Sequence, residues 1–192
     1  MSTGTLIAII VAVAVVLILI ATAVWITMRR RRLQERFGPE YDRTLDTEDS
    51  RGSAERDLRA REQRHHDLDI RELPAEARDR YAEEWKRAQE SFVDRPSQSV
   101  DDADRLVTRV MGERGYPTEG YEQQLRDLSV EHGRTLEHYR VAHEINIRNR
   151  DGSATTEELR GAMVHYRALF QELLGNSGQN TRTPRHTRHD AA

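Results

Sequence analysis

The sequence predicts an all-α protein: a single N-terminal transmembrane helix followed by a small soluble helical domain of about five to six helices. Three observations carry this expectation. An unbroken apolar run extends from Leu6 to Ile26; as helix it is about 31 Å long, enough to cross a bilayer's hydrocarbon core. Beyond it, apolar residues recur at spacings of three and four over several segments. No segment alternates long enough for a half-buried strand, and no fixed-period repeat or sustained heptad occurs.

Residues 1–5 read as a short extracytoplasmic tail, 6–28 as the transmembrane helix and 29–37 as a basic juxtamembrane segment. Helix satisfies every backbone hydrogen bond within one segment, which lipid demands. Trp25 suits the headgroup boundary. Ala21-Thr22-Ala23 has the small-x-small form of a cleavage site. Yet no basic residue precedes the apolar run, and the run is longer than a signal peptide's, so it reads as an uncleaved anchor. Met1 to Thr5 carries no charged side chain, whereas Arg29, Arg30, Arg31 and Arg32 follow the run. Positive residues stay on the cytoplasmic side. The N-terminus is therefore expected outside and the rest in the cytoplasm, against the plasma membrane. The same four arginines set topology and are placed to meet lipid headgroups.

Leu33 to Phe37 continues the membrane helix for a turn, and Gly38-Pro39 breaks it. Residues 38–52 read as a polar hinge with room for one helical turn, and 53–175 as the helical domain. Ser53 caps a helix from Ala54 to about Leu68, whose apolar face is poor: Ala54, Leu58, Arg61, His65, Leu68. Pro74 suits the first turn of the next helix, where Tyr81, Trp85, Ala88 and Phe92 form one stripe. Pro96 ends or bends that element. Val100, Ala103, Val107 and Val110 make a further stripe, flanked by Leu106 and Met111 and stopped at Gly115 and Pro117. A shorter helix runs around Tyr121, Leu125 and Leu128. Gly133 separates it from a helix from Arg134 to about Asn149, with Leu136, Tyr139, Ala142 and His143 on one face. Asp151-Gly152 is a turn. Thr155 and Glu158 form a T-x-x-E capping box before Leu159, Ala162, Met163, Tyr166, Phe170 and Leu173, and Gly175 ends this last helix. Residues 176–192 are polar and are expected to be disordered.

From Leu33 onward, 26 basic side chains face 33 acidic ones, a net charge of about −7. The signs alternate, as in Arg78-Asp79-Arg80, and do not form the basic stripe that phosphate binding requires. Nucleic acid is therefore not an expected partner. Only 30% of these 160 residues are apolar, which points to a thin core and long solvated faces. Absence of cysteine excludes disulfides, thiolate metal sites and a Cys nucleophile.

Motifs for chemistry are lacking. Glu62-x-x-His65 is half of a di-iron signature that needs two copies. His138 and His143 are five apart, which spoils the i,i+4 geometry of a helical zinc pair. His143 reads as a hydrogen-bonded core histidine and His165 as a residue at a core edge; His186 and His189 lie in the tail. There is no G-x-S-x-G elbow and no phosphate-cradling loop. No catalytic, cofactor-binding or metal residue is assigned, no cofactor is expected, and no small-molecule substrate is identified.

Several strings resemble a family of small, uncharacterised actinobacterial single-pass membrane proteins. They are Arg36-Phe37-Gly38-Pro39-Glu40-Tyr41-Asp42-Arg43-Thr44, Phe92-Val93-Asp94, Arg114-Gly115-Tyr116-Pro117, Leu128-Ser129-Val130 and His165-Tyr166-Arg167, together with the anchor and its arginines. The resemblance implies a bacterial, GC-rich source, in keeping with 29 Arg against one Lys. It implies no catalytic or binding residue. Members of that family are often labelled secreted or membrane proteins, and the first label conflicts with a cytoplasmic domain.

The expected function is that of a non-enzymatic membrane-anchored interaction or scaffold module, holding an unknown protein partner at the inner face of a bacterial membrane. The alternative is an extracytoplasmic cell-envelope domain of inverted topology; an enzyme or metalloprotein ranks third. The expected contact surfaces are the helix at 54–68 and apolar residues left exposed around Tyr116 and Tyr121.

Overall fold

A computed structural model describes residues 3–175. Among these there are eight α-helices and no strand: α1 (Thr3–Phe37), α2 (Pro39–Thr47), α3 (Arg51–Asp67), α4 (Ala75–Ser91), α5 (Pro96–Glu113), α6 (Tyr121–His132), α7 (Leu136–Arg150) and α8 (Thr156–Leu173). The expected tail at 176–192 lies outside the described residues. So do the first two residues of the 1–5 segment; the other three are already helical. The chain divides into two compact units that meet within α3, at Arg59 and Ala60.

In the first unit, α1 is one continuous helix through the arginines. It is long and apolar enough to cross a membrane: within Val11–Phe37 an 18-residue window has a mean hydropathy of 2.7 and is wholly unburied. Gly38 ends it at φ 54°, ψ −127°, a conformation side chains with a Cβ disfavour. The hinge expected at 38–52 is replaced by α2. Pro39 occupies the first helical position, where its missing N–H costs nothing, and Tyr41 and Thr44 are buried on one side of it. A nine-residue, mostly polar helix leaves little periodic signal, which is why the sequence reads as a linker. α3 also begins earlier than expected. Ser50, not Ser53, supplies the cap: its hydroxyl accepts the Ser53 N–H at 3.1 Å.

The second unit contains a bundle of α4 to α8 around a single core. Neighbours α4 and α5 run antiparallel, with Tyr81 bonded to Glu113 at one end and Ser91 to Ser99 at the other. α7 and α8 do the same, with His138 beside His165 and Arg148 beside Glu158. Short connections favour this arrangement. α5 and α8 are not sequential, and they run parallel, with Asp104 bonded to Tyr166 and Arg114 to the Leu173 carbonyl. Every residue of the expected stripes on α5 and α8 is buried, and Leu169 joins the latter. Trp85 stacks on Phe170 with ring centroids 4.7 Å apart.

The punctuation follows local chemistry. α5 ends in a Schellman motif: Tyr116 N–H donates to Met111 O and Gly115 N–H to Gly112 O, with Gly115 at φ 96°. A Cβ at Gly115 would lie 2.2 Å from the carbonyl oxygen of Asp69, so glycine is required twice over. α7 closes the same way at Gly152, and α8 opens with both bonds of the Thr155–Glu158 capping box.

Candidate functional site

The four arginines singled out in the sequence lie on the last turns of α1, and their environments differ. The Arg29 guanidinium sits 5.0 Å from the Trp25 ring centroid, a cation–π contact. Arg30 pairs with Glu55 of α3 at 3.2 Å. Arg31 and Arg32 are exposed. Consecutive residues on a helix are about 100° apart, so the cluster is a collar and not a face. One of its four charges is committed to the protein, leaving Arg29, Arg31 and Arg32 turned outward.

The contact surfaces expected from sequence are not exposed apolar patches. Ala54, Leu58 and His65 on α3 are buried, and so is Tyr116. Tyr116 turns inward because the Schellman motif places the second residue after the helix against its last turn. Its hydroxyl donates to Glu131 at 3.0 Å and lies 3.3 Å from His132 Nε2. Burial, first of all, and then the Glu131 charge push the Tyr116 phenol well above its ordinary range. Tyr121 is half-buried and lies flat on His143, centroids 4.0 Å apart and planes 15° from parallel.

Two buried polar nodes hold the bundle. In the first, Asp104 of α5 accepts hydrogen bonds from Tyr166 of α8 at 2.8 Å and from Arg150 of α7 at 3.1 Å, with His143 Nδ1 at 3.4 Å. Burial raises the carboxyl's pKa, but the His143 and Tyr166 hydrogen bonds and the His143 and Arg150 charges outweigh it, and the group is held below the ordinary carboxylate value. The same anion, after burial itself, drives the Tyr166 phenol far upward. In the second node, His132 of α6 bonds Glu172 of α8 through Nδ1 at 2.8 Å. Burial raises Glu172, and bonds from His132 and Thr135 reverse the direction, so it too is lowered. Arg114 ties this end together: it donates to Leu173 O, a terminal carbonyl of α8, its Nε donates to Arg71 O, and its own carbonyl accepts the Arg71 N–H. A cation at a helix C-terminus is favourable.

No family model, curated protein or solved structure matches the chain. What the nodes do is therefore read from geometry alone. An imidazole oriented by a carboxylate is half of a nucleophile-activating array. The His143 ring, however, presents its face to Tyr121, and Asp104 of α5 spends its oxygens on two further helices, α7 and α8. The node is built for cross-linking the bundle. A groove of about 840 Å³ runs along α4 and α5, lined by Glu84, Arg87, Ser91, Arg95, Arg105 and Arg109 among others. Arg109 pairs with Glu84 and Arg105 with Asp102, so two of its cations are already neutralised.

His143 is hydrogen-bonded as expected but only part-buried, beside the core and not within it, and His165 is also part-buried. Among the described residues no group of three or more His, Cys, Asp or Glu side chains is disposed to hold a metal. His65, of the half di-iron motif, instead leans on Tyr116 and sits 3.7 Å from Glu131. Sequence reasoning missed Asp104 and His132. Each falls in register on an apolar stripe, Asp104 four residues after Val100 and His132 four after Leu128. A titratable residue on a core face is the signal that finds them. It also missed the juxtaposition of His138 with His165, whose Nδ1 atoms are 2.9 Å apart. Burial and then the His138 charge lower the pKa of His165.

Proposed function

We propose that the chain is a single-pass membrane protein whose helical domain works at the cytoplasmic face of a bacterial membrane, holding a protein partner near the inner leaflet. The observation that carries this reading is α1: an apolar window with no burial, followed directly by Arg29 to Arg32 and preceded by no charged residue. Water does not tolerate such a surface, and hydrocarbon does. The arginine asymmetry favours a cytoplasmic side for the residues that follow. Cation–π contact between Arg29 and Trp25 suits a residue pair at the headgroup level, where an aromatic ring and a guanidinium both find partners. The resemblance of the juxtamembrane string to actinobacterial membrane proteins adds the bacterial setting.

Tethering acts by raising the local concentration of whatever is bound, and it asks for no catalytic group. The polar nodes at Asp104 and His132 support the module role, because they fix one arrangement of α5 to α8 and so present a constant outer surface. Paired C-terminal reporter fusions, one active only in the cytoplasm and one only outside, test the topology. The cytoplasmic reporter alone should be active. Activity of the external reporter would replace this reading with that of a cell-envelope domain.

A further inference from the structure

We propose that His138 and His165 form a binding site for a late divalent transition-metal ion, copper(II) above others, that clips α7 to α8. The two imidazoles come from different helices, 27 residues apart, and their Nδ1 atoms are 2.9 Å apart. Two nitrogens bound to one ion at about 2.05 Å lie about 2.9 Å apart at a right angle, and about 3.3 Å apart at a tetrahedral angle. The separation therefore matches neighbouring corners of a square. That is the arrangement copper(II) and nickel(II) adopt with nitrogen and oxygen ligands, and copper(II) heads the affinity order for such donors. Zinc(II), with its tetrahedral preference, fits less well.

In the metal-free pair, one Nδ1–H donates to the other Nδ1 lone pair. Metal binding shifts that proton to Nε2 of the same ring, a tautomer change without net proton loss. The rings are offset, with centroids 5.1 Å apart and planes 28° from parallel. The terminal torsion of histidine is broad, so a modest rotation aims both lone pairs at an ion beside them. The site faces outward, His138 being exposed and His165 half-buried, and water fills the remaining corners. Room exists for it: a helical side chain leans over the preceding turn, which for His165 is Gly161, and a Cβ there would meet nothing within 4 Å. The antiparallel register of α7 and α8 keeps the two imidazoles side by side, so only this rotation is left for the ion to impose.

The test is titration of the full chain in detergent with copper(II), following bound metal by electron paramagnetic resonance. The wild type should bind one equivalent showing two nitrogen donors. His138→Ala and His165→Ala should each weaken it roughly 100-fold, because the second imidazole no longer closes intramolecularly. His66→Ala and the double variant His186→Ala/His189→Ala should keep it. Copper should raise the thermal midpoint of the wild type and of these controls, and leave the two site variants unmoved. His138→Gln, which keeps a polar surface side chain, should behave as His138→Ala while its metal-free midpoint stays at the wild-type value. Retention of the full equivalent by either site variant would overturn the proposal, as would zinc(II) displacing copper(II) at equal concentration.

Discussion

In α1 four consecutive side chains, Leu17, Ile18, Leu19 and Ile20, are each more than half exposed. In α8, Leu159, Ala162, Met163, Tyr166, Leu169, Phe170 and Leu173 are each less than one-tenth exposed, while Glu157, Arg160 and Arg167 stand opposite them in solvent. The residue types overlap; the pattern does not. An apolar surface on every side leaves no polar face to turn toward water, so such a helix needs a wholly apolar surrounding. A stripe of about a third of the circumference needs only other stripes. Hydrophobicity thus decides that a segment leaves water, and periodicity decides whether it leaves for lipid or for its neighbours.

The largest expected effect breaks the α1 side of this comparison. Arginine at both Val13 and Leu17 costs about 6 kcal/mol of insertion, at about 3 kcal/mol each. The protein should move from the carbonate-resistant membrane fraction to the soluble one, with the thermal transition of the bundle unchanged. The converse change is Phe170→Ala, which removes the ring stacked on Trp85 and should cost about 4 kcal/mol of bundle stability in denaturant titrations while membrane retention stays intact. Gly115→Ala should cost about 3 kcal/mol, since the Cβ meets backbone and the conformation is strained. Tyr166→Phe deletes a hydrogen bond to a buried anion and should cost about 2 kcal/mol.

The smallest change sharpens the comparison through pH. Asp104 and Glu172 titrate below their unfolded values, near pH 4. Their contribution is therefore fully present above about pH 5 and is lost as pH falls through the folded values. The thermal midpoint of the bundle should drop between pH 5 and pH 2, and Asp104→Asn should flatten that drop. Insertion of α1, which carries no carboxylate before Glu35, should not respond. A midpoint indifferent to acid would mean that the two nodes contribute no net stability.

The stripes on α4, α5 and α8 were legible because each runs for three turns or more and ends in glycine or proline chemistry. α2 was not, because only Tyr41 and Leu45 carry its apolar signal, a single i,i+4 pair. The inward turn of Tyr116 depends on the hydrogen bonds of the α5 terminus, which composition cannot express. The pairing of His138 with His165 depends on the register between two helices, and the node at Asp104 on three. A sequence read one segment at a time contains the members of such groups without their meeting. The arginine collar was visible at once, yet the pairing of Arg30 with Glu55 required α3 to be placed.

α8 is the last of the described helices to leave the ribosome, and it provides the surface against which α5 lies. Sixty residues separate Glu113, where α5 ends, from Leu173, where α8 ends. At bacterial-scale elongation rates that is about 3–12 s of synthesis. Throughout this interval the nascent chain carries Val100, Val107 and Val110 without their final cover, so the newborn protein needs shelter from chaperones or from its own partial collapse. Messages cut short before Thr156 should yield products that proteases clear quickly.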